Sequence, residues 1–334
     1  MKTLPRVSFI IPTLNASEIL PKCLKKIREQ DYPKNKIEII VVDGGSTDGT
    51  QQIANSFGAI ILKNPKILHE PGKTLASKKA KGDILFYTDS DNILSHNNWL
   101  RLMVQPYIDN PSIMGFLPQT IPAPDSNGLD RYLGYLCTDP FTWFIYNEIS
   151  SGRKFPKIYT PVLRMKEYIV YKFPTKNPPL FGLSQGVGTN RKFKRDQIGY
   201  SDDLLAGIKL IKEEGLVAYV PNAGVYHYHV SGIINYIKKY RWRVRNNLKQ
   251  EVKGMGLVNR QVYFGKQRKL KMWLFIPYVF SLIFPIIDSI RLIKSFKDIV
   301  MLWHIPATLF LGFVIIFEGI RNKIFRKQEI GSYE

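Results

Sequence analysis

The chain has 334 residues, more than one small domain requires, and its 48 Lys and Arg against 27 Asp and Glu give a formal net charge of +21. Its two cysteines, Cys23 and Cys137, lie far apart and lack metal-ligand spacing. This excludes a disulfide framework and a cysteine-based metal centre, and it favours a reducing compartment.

Two apolar runs near the start of the chain each stop at a polar turn. Residues 7–15 end in Pro12, Thr13 and Asn15, and residues 37–43 end in Asp43, which a glycine-rich turn follows. Segments with apolar side chains at helical spacing come after each run, so strand and helix alternate. This alternation predicts a doubly wound α/β fold with a mainly parallel sheet, whose ligands bind beyond the carboxyl ends of the strands.

A third apolar run, residues 84–88, stops at Asp89 and Asp91. Two carboxylates at the end of a buried strand can share one hard divalent cation, such as Mg²⁺ or Mn²⁺, which in turn binds phosphates. The alternative is a solvated turn, because Asp and Asn also favour turns through their own hydrogen bonds.

These motifs resemble, in order and spacing, the inverting GT-A glycosyltransferases of family 2. The similar segments are residues 11–15, 43–50, 81–91, 202–203 and 219–227. The resemblance implies a GT-A domain over residues 1–230, with a Rossmann-like, nucleotide-sugar-binding half at 1–95 and an acceptor half at 96–230.

The resemblance also implies a nucleotide-diphosphate sugar as donor and Mg²⁺ or Mn²⁺ as cofactor, with Asp43 on the nucleoside base. The implied donor-binding residues are Pro12, Thr13, Asn15, Asp43, Lys73, Asp89 and Gly186. The implied metal ligands are Asp91, Asp89 and His227. Three of these have ordinary alternatives: Lys73 as a solvated loop lysine, Gly186 as a bulge, and His227 as a structural hydrogen-bonding residue.

Inversion at a sugar carbon requires a general base on the face opposite the leaving group. Asp202 and Asp203 stand at the start of a predicted helix, and Asp203 matches the position of the base in the family. Because Asp202 stands where Glu is common in the family, either carboxylate can be the one that faces the acceptor. A helix cap is the alternative role for an acid at this place.

Beyond residue 230, basic clusters alternate with apolar runs. Residues 231–268 include a stripe at 233–249 flanked by Lys and Arg, typical of a helix on an anionic membrane surface; an ordinary packed amphipathic helix is the alternative. Residues 269–334 contain apolar segments at 272–290 and 299–320, each about long enough to cross a bilayer. Their flanks are richer in Lys and Arg than their linker, which predicts a membrane-spanning hairpin with both ends in the cytoplasm. A re-entrant or interfacial helix pair is the alternative.

The sequence therefore predicts an enzyme of the cell membrane whose catalytic domain faces the cytoplasm, where the absence of a signal peptide also places it. It would transfer a sugar to a polyprenyl-phosphate or a lipid-linked glycan. The alternatives are a transferase of capsule or exopolysaccharide biosynthesis and, from another class, a non-catalytic membrane or nucleic-acid-binding protein. We expect no nucleic-acid partner, because no binding motif is present and the positive charge is concentrated beside the apolar segments.

Overall fold

The computed structural model of the chain describes residues 3–146, 152–179, 181–195, 203–248 and 265–324, with only the backbone at 246–248 and 322–324. Within this part, the chain divides into two compact units: Met1–Ile121 with Ile149–His227, and Pro122–Glu148 with Tyr228–Glu334. Residues 122–146, part of the predicted acceptor half, therefore belong to the second unit.

The first unit is built on one sheet. Its strands are β1 (Val7–Thr13), β2 (Ile37–Asp43), β3 (Ile60–Lys63), β4 (Ile84–Tyr87), β5 (Asn92–Leu94), β6 (Ile113–Ile121), β7 (Leu163–Arg164), β8 (Ile169–Tyr171), β9 (Val187–Asn190) and β10 (Leu216–His227). The order is β3-β2-β1-β4-β9-β6-β10-β8-β7, and β5 pairs with β10. Neighbours among β3, β2, β1 and β4 are parallel, whereas β9 runs antiparallel to both β4 and β6. The α/β class is thus confirmed, with a parallel N-terminal half and a mixed remainder.

Helices flank the strands and continue to the end of the described residues. They are α1 (Leu20–Arg28), α2 (Thr50–Ser56), α3 (His69–Lys79), α4 (Trp99–Asp109), α5 (Gly128–Leu136), α6 (Pro140–Tyr146), α7 (Phe155–Ile158), α8 (Asp203–Lys212), α9 (Ile233–Leu248), α10 (Lys266–Phe280), α11 (Ile283–Phe296) and α12 (His304–Ile324). Every residue of β1 and β2 is buried, as expected for parallel strands covered on both faces. This rigid core places the carboxyl ends of β1, β2 and β4 at one edge of the sheet.

The second unit has a separate apolar core. Tyr132 and Trp143, from α5 and α6, are buried there with Tyr240, Phe275 and Leu311 from the C-terminal helices. Large aromatic side chains contribute about 1.5–3 kcal/mol each when fully buried, so α5 and α6 belong with this core although they lie between strands in the sequence.

The apolar segment at 272–290 does not form one straight helix. Helix α10 ends at Phe280, α11 begins at Ile283, and the two helices meet at a bend of 99°. Leu282 adopts a left-handed φ of 58° at this break, and Pro285 in the first turn of α11 cannot donate a backbone hydrogen bond. The straight first span of the predicted hairpin is therefore replaced by a bent helix pair.

The second apolar segment forms a 3₁₀ turn, Ile299–Trp303, that leads into α12. Among the described helices, only this one, counted over Ile299–Arg321, is long and apolar enough by itself to cross a membrane. Helix α9 confirms the predicted helix near 233–249, but its buried residues are Tyr236, Tyr240 and Val244, while Ile233 is 54% exposed. It therefore packs within the second unit through aromatic side chains.

Candidate active site

Asp43 ends β2 and organises the turn that follows. Its carboxylate accepts hydrogen bonds from the backbone N–H groups of Gly45 (3.0 Å) and Ser46 (2.9 Å) and from side chains of Thr13 (3.1 Å), Ser46 and Gln51 (2.8 Å). Burial raises the pKa of Asp43, but the hydrogen bonds from Ser46, Gln51 and Gly45 outweigh burial and hold it below its ordinary value. Asp43 is therefore ionised and already has five protein donors, with which a nucleoside base would have to compete.

Asn15 ties the end of β1 to the same turn. Its backbone N–H donates to the Ser46 hydroxyl (2.9 Å), and its side-chain oxygen accepts from the N–H of Thr47 (3.0 Å). Asn15 adopts a left-handed φ of 48°, which Asn tolerates better than most residues. Pro12 lies inside β1, opposite Val42 of β2. Pro12, Thr13, Asn15 and Asp43 are thus brought together.

The turn after β4 carries Asp89 and Asp91, and the side chain of Asn92 forms hydrogen bonds to both residues. The Asn92 side chain accepts from the N–H of Asp89 (3.0 Å) and donates to Asp91 Oδ1 (2.9 Å). In the antiparallel pairing of β5 with β10, Asn92 lies opposite His227. His227 Nε2 consequently lies 3.5 Å from Asp91 Oδ2, so two of the three predicted metal ligands are adjacent.

Asp89 is oriented toward a different partner. Its Oδ1 lies 3.1 Å from Lys73 Nζ and 4.0 Å from His69 Nδ1. Lys73 is not a loop residue, since it lies in α3 and is 1% exposed. The alternative of a solvated loop lysine is therefore wrong. Helix α3 brings Lys73 under the carboxyl edge of the sheet, where a carboxylate pairs with it.

Lys73 experiences three negative charges. Burial lowers the pKa of its ammonium, but Asp89, Glu70 and Asp203 together raise that pKa above its ordinary value. Lys73 therefore stays protonated.

Glu70 and Arg195 extend this buried group of charges. Glu70 Oε1 lies 3.4 Å from Lys73 Nζ, and Glu70 Oε2 accepts a hydrogen bond from Arg195 Nη2. The Arg195 guanidinium stacks over the Tyr87 ring, 4.8 Å from its centre. Neither residue belongs to the sequence-predicted site, because they are 125 positions apart and no local pattern links them.

Asp203 begins α8, as predicted, and its carboxylate is held from outside the helix. Its Oδ2 accepts a hydrogen bond from the Ser184 hydroxyl at 2.6 Å. A Cβ on Gly182 would lie 2.0 Å from that same oxygen, so only glycine leaves room for the carboxylate. Asp202 lies outside the described residues.

Gly186 joins the Asp203 region to the end of β4. Its N–H donates to the carbonyl of Tyr87 at 2.8 Å, two positions before Asp89. Gly186 has a φ of +78°, and a Cβ there would lie 3.1 Å from both Trp99 and Val225, so the position requires glycine. The turn at 184–186 therefore connects the carboxylates at 89 and 203.

Asp91 and His227 could supply two of the ligands of a divalent cation, one carboxylate and one imidazole. Magnesium is commonly held by one or two carboxylates together with substrate phosphates and water, and imidazole suits the transition metals. Within the described residues, no group of three or more His, Cys, Asp or Glu side chains is arranged to hold a metal ion. A cation bound here would thus take its remaining ligands from a bound molecule and from water.

Residues 8–166 match the family model described as Glycosyl transferase family 2. The chain is similar to Glycosyltransferase AglE of Haloferax volcanii, with 38% identity over 104 residues, 29% of this chain and 34% of that protein. It is also similar to the poly(ribitol-phosphate) beta-N-acetylglucosaminyltransferase TarS of Staphylococcus aureus, with 33% identity over 96 residues, 27% of this chain and 17% of that protein. The chain thus spans about a third or less of these relatives.

Among solved structures, the mannosyltransferase PcManGT from Pyrobaculum calidifontis, in complex with GDP-Man and Mn²⁺, resembles the whole chain. The TM-score is 0.57, and the match covers 98% of this chain and 89% of that one at 15% sequence identity. At this identity the likeness shows a shared fold.

Proposed function

This chain contains a glycosyltransferase family 2 domain with the GT-A fold, and from this premise we propose that it transfers a sugar from a nucleotide-diphosphate donor to a membrane-associated acceptor, with inversion. The observation that carries the proposal is the turn at 184–186, which hydrogen-bonds both to Asp203 and to the end of β4, where Asp89 lies 3.1 Å from the Lys73 ammonium. A phosphate-binding cation and a candidate base therefore belong to one site.

The donor would bind along the carboxyl edge of β1, β2 and β4. Pro12, Thr13 and Asn15, with the turn that Asp43 organises, would form the nucleoside pocket. The diphosphate would lie near Lys73 and Asp89, because the protonated Lys73 ammonium supplies positive charge at the carboxyl edge of the sheet, 3.1 Å from Asp89.

Asp203 would act as the general base. With a glycan acceptor, its carboxylate takes the proton of the attacking hydroxyl while that oxygen attacks the anomeric carbon, and the bond from this carbon to the diphosphate oxygen breaks. With a polyprenyl-phosphate, the attacking phosphate oxygen is already largely ionised and gives up no proton to Asp203. The nucleoside diphosphate leaves with the bonding electron pair. The hydrogen bond from Ser184 holds the carboxylate in one orientation. Gly186, whose N–H donates to the Tyr87 carbonyl, would line the donor-sugar site through the turn that joins Asp203 to the end of β4.

Asp91 and His227 would hold the divalent cation, Mg²⁺ or Mn²⁺, with Asp89 beside them. When bound, this cation neutralises part of the negative charge that develops on the departing diphosphate. Mn²⁺ in the PcManGT complex supports the same choice of metal here.

The second unit supports a membrane location. Many large apolar side chains of this unit remain exposed although its own core is packed, among them Trp273 (79%), Ile234 (74%), Ile299 (68%) and Ile283 (64%). Basic residues accompany them on α9 and α10, an arrangement that suits an anionic lipid surface. We propose that this unit holds the enzyme on the cell membrane, with the catalytic unit on the cytoplasmic side. The acceptor would be a polyprenyl-phosphate or lipid-linked glycan.

The names of the relatives support a role in glycan biosynthesis. TarS is named for transfer to poly(ribitol-phosphate), so a transferase of capsule or exopolysaccharide assembly is the second candidate.

Donor binding tests the proposal. The full chain is titrated with UDP- and GDP-sugars in Mn²⁺ and again in EDTA, and heat of binding and melting temperature are recorded. We expect at least one nucleotide sugar to bind and to stabilise the protein, and EDTA to weaken that binding. Failure of every nucleotide sugar to bind in Mn²⁺ would reject the proposed donor class.

A further inference from the structure

Two buried charges behind Asp89 have no part in the transfer step. Glu70 and Arg195 are 5% and 6% exposed, and they form a direct ion pair. Buried ion pairs add little stability compared with apolar packing of the same volume. The pair therefore matters mainly through the charge that it places beside Lys73, which contacts Glu70.

Glu70 divides its carboxylate between two cations. Oε2 accepts from Arg195, whereas Oε1 lies 3.4 Å from Lys73 Nζ, and that ammonium lies 3.1 Å from Asp89. Arg195 is held by this contact and by the ring of Tyr87. Its second terminal nitrogen, Nη1, is buried with no hydrogen-bond partner among the residues that the structure describes. Glu70 is thus the anchor of Arg195.

We propose that Arg195 is a positioning residue, which acts through Glu70 on Lys73 and so sets the affinity of the site for the diphosphate of the donor. The inference rests on the proposed function. While Arg195 neutralises one oxygen of Glu70, Lys73 remains shared between Glu70 and Asp89 at the edge of the sheet. Without that guanidinium, the full charge of Glu70 draws the ammonium away from Asp89 and from the diphosphate.

Charge, rather than shape, is therefore what Arg195 contributes. Arg195→Gln removes the charge, so affinity for a nucleoside diphosphate should fall roughly 10- to 100-fold, the effect of one charge-assisted hydrogen bond. Affinity for the nucleoside should not change, because the proposed nucleoside pocket is formed by Pro12, Thr13, Asn15 and the turn at Asp43 rather than by Lys73. Arg195→Lys keeps the charge and should retain most of the diphosphate affinity.

The double variant Glu70→Gln/Arg195→Gln separates positioning from structural support. An uncharged residue 70 no longer competes for the ammonium, so the second substitution should restore most of the affinity lost in Arg195→Gln. Arg101→Gln serves as the control, because Arg101 forms an exposed pair with Asp31 in the same unit; its binding should equal that of the wild type.

The experiment measures dissociation constants of UDP, GDP, uridine and guanosine by calorimetric competition in Mn²⁺, together with melting temperatures. Binding of neither diphosphate by the wild type would overturn both the proposed function and this inference. An unchanged ratio of diphosphate to nucleoside affinity in folded Arg195→Gln would overturn the inference alone. If Arg195→Gln does not fold, the double variant and Arg195→Lys are compared with the wild type instead. The proposal predicts that both keep most of the wild-type ratio of diphosphate to nucleoside affinity. A folded double variant that has lost this ratio would contradict the proposal.

Discussion

At the scale of single residues, each carboxylate of the candidate site contacts a different group. Asp43 accepts hydrogen bonds from the turn that follows it, and Asp89 pairs with Lys73. Asp91 contacts Asn92 and His227, and Asp203 accepts a hydrogen bond from Ser184. Asp91 lies 3.5 Å from the imidazole of His227, whereas Asp89 lies 3.1 Å from the Lys73 ammonium and 4.0 Å from His69. Asp203 stands apart from Asp91, at the start of a helix, which suits a base rather than a metal ligand.

Asp91→Ala tests the metal site. Removal of a carboxylate ligand should weaken Mn²⁺-dependent nucleotide binding by at least about 10-fold and abolish transfer, while the melting temperature changes little because Asp91 is partly exposed. Calorimetry and thermal unfolding measure the two effects. Asp31→Ala, at an exposed aspartate of the same unit, is the control that should bind normally. Full turnover of the wild type in excess EDTA would contradict the metal assignment.

Asp203→Asn tests the base. The amide keeps the size of the side chain but cannot accept the proton, so kcat should fall by roughly 10²–10⁴-fold. The affinity for the donor should remain, which binding and steady-state kinetics separate. Asp202→Asn is the matched variant. If Asp202→Asn is inactive and Asp203→Asn is not, the base has been assigned to the wrong carboxylate.

At the scale of elements, the segment 181–186 and helix α8 depend on small residues. A Cβ at Gly182 would overlap the Asp203 carboxylate, and a Cβ at Gly207 would lie 2.1 Å from the carbonyl oxygen of Phe181. Segment and helix therefore approach each other closely, which holds Asp203 at a fixed place beside the turn that contacts β4.

Gly182→Ala should consequently damage catalysis more than donor binding. The methyl group displaces the Asp203 carboxylate, so we expect a kcat at least about 10-fold lower and a loss of roughly 1–3 kcal/mol in the free energy of unfolding. Gly232→Ala is the control, because nothing lies within 4 Å of a Cβ at that glycine. Wild-type kcat in Gly182→Ala would show that the carboxylate is not held in the way described.

Sequence patterns predicted those parts of the fold that depend on neighbouring residues. The strands ending at Asp43 and Asp89 and the helix near 233–249 follow from local apolar patterns, and the helix starting at Asp203 follows from the resemblance to the family. The sequence left open whether Lys73 binds the donor or is a solvated loop lysine; it lies buried in α3, whose first turn tolerates Pro71. Contacts between distant segments, such as Glu70 with Arg195 or Ser184 with Asp203, leave no periodic signal. The bend at Leu282 also could not be predicted from the sequence, because a straight helix and a bent helix pair have the same apolar composition.

At the scale of the whole molecule, the second unit combines a packed interior with an apolar exterior. Apolar burial in a bilayer does not weaken with salt, whereas attraction of its Lys and Arg is screened within about 10 Å at 0.1 M salt. The two contributions can therefore be separated by extraction from membranes.

The full chain should remain in the membrane pellet through high salt and carbonate and should require detergent for release. Replacing the exposed Trp273, Ile283 and Phe284 by Ser should release a larger fraction by carbonate, without unfolding the core of the second unit. Ser at the exposed Ile158 and Val162 of the first unit is the control, and it should leave retention unchanged. Complete release of the wild type by salt alone would mean that charge, not apolar insertion, holds the protein.

The transfer of sugar into the lipid phase tests the central claim most directly. Purified full-length protein is incubated with labelled nucleotide sugars, Mn²⁺ and a membrane lipid extract, and label is counted in the organic phase beside a parallel reaction with Asp203→Asn. We predict that the wild type moves label from one nucleotide sugar into lipid, with release of the nucleoside diphosphate, and that the variant transfers at least about 10²-fold less. Equal transfer by both proteins, or release of free sugar with no labelled lipid at any donor, would contradict the claim.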